Sequence, residues 1–174
     1  MSMILLTNKA NVSKSLQVAI GYKESDFNKF IEEAQTFDFK ELVCEEFYYD
    51  LLKKKDEEAW KKLIDGGKYT YNERTYYFKG IADVIAYFTF ARFILKAPVV
   101  SASHGFVIKE TPHSKPLSLE ERRNFYYSHR KDANTLFEDT KKFIERNISD
   151  FESWNCDSDC SPKITSSFNT TVIQ

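Results

Sequence analysis

The sequence predicts a mainly α-helical protein: a helical bundle around a buried central helix and a long C-terminal helix, with a small β-hairpin and an extended C-terminal arm. Three observations predict this fold class. Residues 80–97 are apolar nearly all round, which is typical of a buried helix. Ser118 and Glu121 match the capping box that opens a helix, and a long amphipathic stretch follows them. The 174 residues include only 5 glycines and 4 prolines, which leaves few turn signals for an all-β fold.

Three short helices are expected before the hairpin. Ser25 is the predicted N-cap of the first, because apolar residues follow it at three- and four-residue spacing. Asp38 is the predicted cap of the second helix, which ends in a run of lysines. The third helix, about 57–64, ends before Gly66 and Gly67.

An aromatic β-hairpin is predicted over residues 69–78. Tyrosine and phenylalanine occupy both sides of a short polar segment centred on Asn72, Glu73 and Arg74. Aromatic residues are enriched in strands, so two short antiparallel strands are expected here.

The connection between the two main helices, residues 99–116, is unusually long. Loops of this length in a compact domain are usually functional or disordered. It contains an apolar triplet of Phe106, Val107 and Ile108 in an otherwise polar stretch. A place for this triplet in the core of its own chain is hard to find, so it is a predicted contact with another subunit or a partner.

The long helix is expected to run from residue 119 to about residue 147. Its length would be about 43 Å at 1.5 Å per residue. We place the helical domain at residues 1–148 and an acidic linker with an extended arm at 149–174. The arm alternates like a strand but has no neighbouring strand, so it is expected to pair with a sheet edge of another chain. Its predicted contact residues are Ile164, Phe168 and Val172.

The net charge argues against a polybasic nucleic-acid binder, because the 25 Lys and Arg residues are balanced by 26 Asp and Glu residues. One local basic concentration lies within residues 109–131. It is a predicted face toward a DNA channel or toward an acidic partner, and a plain solvated helix face remains the alternative. Its members are Lys109, Lys115, Arg122, Arg123, Arg130 and Lys131.

No catalytic residue, metal or cofactor is predicted. Cys156 and Cys160 have the spacing of half a zinc site, but no second half is evident, and Cys44 is expected in the core rather than in a disulfide. The histidines His104, His113 and His129 match no ligand spacing. Asp83 is the one oddly placed carboxylate, and a salt bridge to a neighbouring helix or subunit is its simplest explanation. No signal peptide and no membrane-spanning run is evident, so no membrane partner is expected.

The order of elements resembles a known family. The loop Val100-Ser-Ala-Ser-His-Gly105-Phe-Val-Ile-Lys109 is followed by Ser114-Lys-Pro116-Leu-Ser118 and by a capped helix starting Glu120-Glu-Arg-Arg. Together with the apolar helix before them, these segments resemble the head–tail connector proteins (adaptors, or tail-completion ring proteins) of tailed bacteriophages. The likeness is closest to versions from phages of gut Bacteroides-type bacteria, and it covers roughly residues 25–148.

The resemblance implies a non-enzymatic structural virion protein. Such proteins are made in the bacterial host cytoplasm and assemble as a ring, typically a twelve-fold homo-oligomer, below the portal protein. The ring extends the DNA channel, lets genomic DNA pass without specific binding, and docks tail or further ring proteins. The alternative is a helical nucleic-acid-binding or protein-interaction module that uses the basic region 109–131.

Overall fold

The computed structural model describes residues 3–19, 21–103, 105–108 and 117–155. It confirms a mainly helical fold with a small antiparallel hairpin. Within the described residues the α-helices are α1 (Lys9–Ser15), α2 (Glu24–Ala34), α3 (Glu45–Lys53), α4 (Glu58–Asp65), α5 (Ile81–Lys96) and α6 (Leu119–Arg146). The strands are β1 (Gly67–Tyr71), β2 (Arg74–Phe78), β3 (Val99–Ala102) and β4 (Gly105–Ile108). Short turns follow α2 (Gln35–Phe39, Lys40–Leu42) and α6 (Ile148–Asp150, Glu152–Asn155).

Helix α5 is the centre of the core, as its all-round apolar sequence predicted. Ile81, Val84, Ile85 and Ala91 have no exposed surface. Helix α6 packs beside α5 in the antiparallel direction, since residue 122 contacts residue 95 while residue 130 lies over the ring of Phe88. The N-terminal helices and the first hairpin complete the bundle around this pair.

Aromatic rings seal the end of the bundle where α5 begins and α6 ends. Phe78 stacks on Phe143 with ring centroids 4.2 Å apart, and Trp60 meets Phe151 edge-on at 5.1 Å. Phe47 meets Trp154 at 4.9 Å. We call this region the closed end. Because Phe151 is fully buried, the packed chain continues past the expected boundary at residue 148.

Cys44 lies at the closed end, at the N-cap of α3. Its Sγ is buried and 3.4 Å from the carbonyl oxygen of Ser153. The expectation of a core position is confirmed. The expectation that the cysteines remain unbridged is wrong for Cys44, which is disulfide-bonded to a partner outside the described residues.

Two predicted helix caps are wrong. Helix α2 begins at Glu24, one residue before the predicted cap Ser25, and no side chain caps it. Asp38 lies within a π-helical turn that continues α2, not at the start of a new helix. Its carboxylate is turned inward to Arg92 and Arg130, so an ion pair takes the oxygen atoms that a cap would have used.

The predicted aromatic hairpin is confirmed as β1 and β2. Tyr69 pairs with Tyr76, and the turn residues Asn72 and Glu73 have φ angles of 48° and 63°. Two consecutive positive φ angles are the signature of the tight hairpin turn that matches strand twist. The face that carries the paired tyrosines packs toward α6, where Arg146 lies 4.1 Å from the centre of the Tyr76 ring.

A second hairpin occupies the long connection. Strand β3, which the sequence analysis did not anticipate, pairs with β4 in a register that joins Val99 to Ile108. The strand-like reading of residues 106–108 is confirmed, because they lie in β4. The predicted arm at 163–174 lies outside the described residues.

Candidate functional site

Exposed apolar side chains concentrate at the opposite end of the α5–α6 pair. Helix α5 ends here, β3 and β4 follow it, and α6 begins here. We call this region the open end. Seven of its apolar side chains are between 39% and 65% exposed. They are Val99, Val107, Ile108, Leu117, Leu119, Phe125 and Tyr127.

The β3–β4 hairpin presents apolar side chains on both faces. Val99 and Ile108 are cross-strand partners on one face, and Val107 points to the other face because strand side chains alternate. Among the described elements, each of these strands packs extensively only on the other. A two-stranded hairpin without a packed face is marginally stable in water. Additional contacts from outside the chain would stabilise it.

The capping box fixes where α6 begins. The Ser118 Oγ accepts from the backbone N–H of Glu121 (3.2 Å), and the Glu121 carboxylate accepts from the backbone N–H of Ser118 (2.8 Å). The Ser118 hydroxyl also donates to this carboxylate (2.8 Å). The two hydrogen bonds that the carboxylate accepts, from the Ser118 N–H and from the Ser118 hydroxyl, lower the pKa of Glu121. The prediction of this cap is confirmed. The capping box stabilises the first turn of α6, which contains Arg122, in its position beside α5.

Arg122 is a buried cation in this first turn. The residue is only 3% exposed. Its Nη1 donates to the carbonyl oxygen of Leu95 (2.9 Å), whereas its Nε is buried and has no acceptor. Across the described residues, no carboxylate comes within salt-bridge distance of this guanidinium.

The contact with Leu95 compensates only part of the charge of Arg122. Leu95 belongs to the last turn of α5, where a cation interacts favourably with the helix dipole. That interaction contributes typically about 0.3–1 kcal/mol, and up to about 2 kcal/mol when partly buried. Desolvation of a buried ion costs several kcal/mol even after relaxation. The guanidinium is therefore short of an acceptor.

His129 lies on the same face of α6, two turns further along. Its Nδ1 is buried without a hydrogen-bond partner, and the nearest carboxylate oxygen, of Asp132, is 3.9 Å away. Phe90 meets the imidazole edge-on at 5.0 Å, and the exposed ring of Phe125 stacks over it at 6.4 Å. Burial lowers the pKa of His129, against the opposing effect of Asp132. The imidazole is therefore neutral at pH 7.

Arg92 and Arg130 differ from Arg122, because both share the buried carboxylate of Asp38. Arg92 donates through Nε (2.5 Å) and Nη2 (3.0 Å) to the two oxygens of Asp38, and Arg130 pairs with the same group. Glu33 adds a second acceptor for Arg92 at 3.3 Å and pairs with Lys96. This network joins α2, α5 and α6 in the middle of the bundle.

The predicted basic face does not form a continuous exposed surface. Arg122 is buried, and Arg130 is paired with Asp38. Arg123 and Lys131 are exposed on α6. Lys109 and Lys115 lie outside the described residues.

The predicted interface residues fall into two groups. Val107 and Ile108 are exposed, at 46% and 45%. The side chain of Phe106 and the arm residues lie outside the described part of the chain. Those arm residues are Ile164, Phe168 and Val172.

The described residues contain no group of three or more His, Cys, Asp or Glu side chains that could hold a metal ion. Asp83, the oddly placed carboxylate, is half-buried and 3.8 Å from Lys79, one turn before it. Burial raises the pKa of Asp83, and the charge of Lys79 partly offsets this effect. Among the described residues its ion pair is therefore local and not with a neighbouring helix. No helix in the described ranges is long and apolar enough to cross a membrane.

Sequence reasoning missed the special position of Arg122 and grouped it with the surface cations. A signal was present, because Leu119, Arg122, Tyr126, His129 and Ala133 recur at three- and four-residue spacing. That spacing places Arg122 on the face of α6 that contains Ala133, a predicted core residue.

Comparison with known proteins gives one match. A family of unknown function, DUF6712, matches residues 39–164. This range contains α3 to α6 and both hairpins. No curated protein and no solved structure matches the chain. Since the match covers well over half of the sequence, the chain belongs to the DUF6712 family.

Proposed function

We propose that this protein is a non-enzymatic structural virion protein that assembles as a ring between the portal and the tail of a bacteriophage. The observation that carries the proposal is the open end, where seven apolar side chains are exposed around a hairpin whose strands, among the described elements, pack mainly on each other. A surface of this kind is typical of a protein–protein interface. The assembly as a ring and its position in the virion are proposed from the sequence resemblance to head–tail connectors.

In this role the open end contacts the next subunit of the ring, which is expected to contain twelve copies. The remaining surfaces meet the portal protein on one side and tail or further ring proteins on the other. The ring extends the DNA channel without binding the genomic DNA specifically. A near-neutral net charge of −1 suits this role, because a strongly basic lumen would retain the phosphate backbone.

Negative-stain electron microscopy of the purified chain tests this proposal. We expect closed rings with a central channel. Val107→Ser combined with Ile108→Ser should abolish the rings while helical circular dichroism is retained. The matched control is Tyr77→Ser, which removes an exposed ring of the first hairpin and should leave the rings intact. If rings persist in the Val107/Ile108 variant, the open end is not a contact between the subunits of the ring.

The alternative function, nucleic-acid binding through residues 109–131, predicts a different result. A phosphate-binding protein loses affinity steeply with salt. We expect fluorescence anisotropy with duplex and single-stranded DNA to show no such salt-dependent affinity, because Arg122 and Arg130 are engaged within the chain. Tight binding at low salt that Arg123→Ala weakens would favour the alternative.

A further inference from the structure

We infer that the first hairpin and the end of α6 form a docking surface for an acidic segment of a partner protein. The surface consists of Lys62, Arg74 and Arg146 together with the rings of Tyr71 and Tyr76, and we call it the cationic face. The inference rests on the proposed function, because it names the chemistry that one partner of the ring presents to the closed end.

Two of the cations meet at the tyrosines of the hairpin. Arg146 is the last residue of α6, and its guanidinium lies 4.1 Å from the centre of the Tyr76 ring and 4.9 Å from that of Tyr71. Arg74 is the cross-strand partner of Tyr71. Directly opposite residues of an antiparallel pair place their side chains on the same face. Arg74 therefore shares a face of the hairpin with the ring that Arg146 contacts.

Lys62 adds a third cation from α4. Its Nζ is 5.8 Å from the centre of the Phe143 ring, and Phe143 meets Tyr69 edge-on at 5.0 Å. Arg146 lies 5.8 Å from the same Tyr69 ring. Lys62 and Arg146 are therefore separated by two adjoining rings. Three elements that are far apart in the sequence thus contribute positive charge to one region, which the basic stretch 109–131 does not do.

The charges of the cationic face are not compensated within the described part of the chain. There, no carboxylate lies within salt-bridge distance of these three cations, and the nearby ion pairs join other residues: Lys79 with Asp83, Lys141 with Glu145, and Lys142 with Asp139. Arg146 donates to the hydroxyl oxygen of Tyr69 (2.8 Å), which is a neutral acceptor. Lys62 and Arg74 are exposed. The face therefore attracts negatively charged groups, although the formal net charge of the chain is −1.

Arg146 is suited to bind a carboxylate. A guanidinium that is held against aromatic rings loses less conformational freedom on binding than a free side chain does. Its planar group can also donate two parallel hydrogen bonds to one carboxylate, which an ammonium group cannot do. Arginine and tyrosine are enriched among the residues that contribute most to protein–protein binding.

The same contacts disfavour single-stranded nucleic acid as the ligand. Such strands bind mainly by stacking their bases on available aromatic rings. The ring of Tyr76 already stacks on Tyr69, with centroids 5.5 Å apart and planes at 24°, and it also contacts Arg146. Tight binding to a phosphate backbone depends on many cations along its path. A short acidic segment needs only a local group of cations, which is what this face offers.

The position of the face favours a partner other than the neighbouring subunit. Helix α6 has 28 residues and is therefore about 42 Å long. Arg146 lies at the end of this helix that is remote from Leu119 and the open end. In the proposed ring the open end contacts the next copy, so the cationic face is available to a different protein.

Fluorescence anisotropy with a labelled oligoglutamate peptide and the full-length chain tests the inference. We expect binding that weakens as salt is added. Arg146→Met should reduce the affinity at least about ten-fold, and Lys62→Met combined with Arg74→Met should have a similar effect. The double variant changes only exposed side chains, so it remains informative if Arg146→Met disturbs the hairpin. Arg123→Met removes an exposed cation near the open end and should bind like the wild type.

Four results would decide the matter. Absence of oligoglutamate binding by the wild type, or equal binding by the double variant, would overturn the inference. Tighter binding of an oligothymidylate with the same number of units, through the same residues, would assign the face to nucleic acid and contradict it. Loss of rings in the double variant would assign the face to a neighbouring copy, contradicting the inference while leaving the proposed function intact. Oligoglutamate binding by a wild-type chain that forms no rings would support the face and contradict the proposed function.

Discussion

The two ends of the α5–α6 pair are packed in opposite ways. At the closed end, Phe143 contacts the rings of Tyr69, Phe78 and Phe151, and Phe151 is fully buried. At the open end, α6 carries the exposed side chains of Leu119 and Phe125, and the hairpin that follows α5 has apolar side chains on both faces. Among the residues that the structure describes, the core is therefore complete at the closed end only. The other end has the composition of a surface that a second molecule covers.

Truncation of one phenylalanine at each end should have unequal effects. Phe143→Ala removes a buried ring that stacks on Phe78 and should lower the free energy of unfolding by about 3–5 kcal/mol. Phe125→Ala removes a half-exposed ring and should cost less than about 1 kcal/mol in the monomer. Urea unfolding followed by circular dichroism measures both. Equal losses would mean that the open end is as well packed as the closed end.

Removal of the carboxylate between the ends should have the next largest effect. Asp38→Asn leaves Arg92 and Arg130 without their shared charge, so we expect a loss of about 2–4 kcal/mol. Asp26→Asn is the control, because its pair with Lys29 is exposed and contributes about 0–1 kcal/mol. A loss as small as that of the control would show that the network contributes little to the bundle.

Loss of the α6 cap should have a smaller effect that is confined to the open end. Ser118→Ala removes the acceptor of the Glu121 N–H and one arm of the capping box, which should cost about 1 kcal/mol. Hydrogen exchange should show faster exchange in the first turn of α6 and unchanged protection around Phe143. Uniform loosening of the whole helix would contradict the separation between the two ends.

The pH dependence from His129 should be the smallest effect. Burial lowers the pKa of His129 in the folded state, so the unfolded chain binds the proton more readily. Stability from this residue is therefore complete above the ordinary histidine pKa of about 6.5 and falls as the pH drops below it. His129→Leu should flatten the curve in this range. If His129→Leu leaves the slope of stability against pH unchanged, another group is responsible for the pH dependence.

The sequence was most informative where a local rule acts alone. The capping box at Ser118, the hairpin around Asn72 and the apolar stretch of α5 each depend on neighbours within a few residues, and each was predicted correctly. Asp38 shows the limit of this reasoning. It looks like a helix cap from its neighbours, but two arginines more than fifty residues away draw its carboxylate into the bundle.

The candidate surface was predictable only in part. The apolar triplet of β4 stood out because polar residues surround it, and Val107 and Ile108 are indeed exposed. The burial of Arg122 could not be predicted from the charges of its neighbours in the sequence. It depends on how α6 packs against the last turn of α5. Strand β3 was missed although Val99 and Val100 are β-branched and favour a strand, because four residues are too short a signal until the pairing with β4 is known.

The mass of the wild-type chain in solution tests the central claim most directly. If the open end is an interface between copies, multi-angle light scattering should give one closed species of many subunits, expected at about twelve times the 20.4 kDa of the chain. The Val107/Ile108 serine variant should return to the mass of a single folded chain. A wild-type protein that stays at 20.4 kDa from low to high micromolar concentration would contradict the claim that another copy covers the open end.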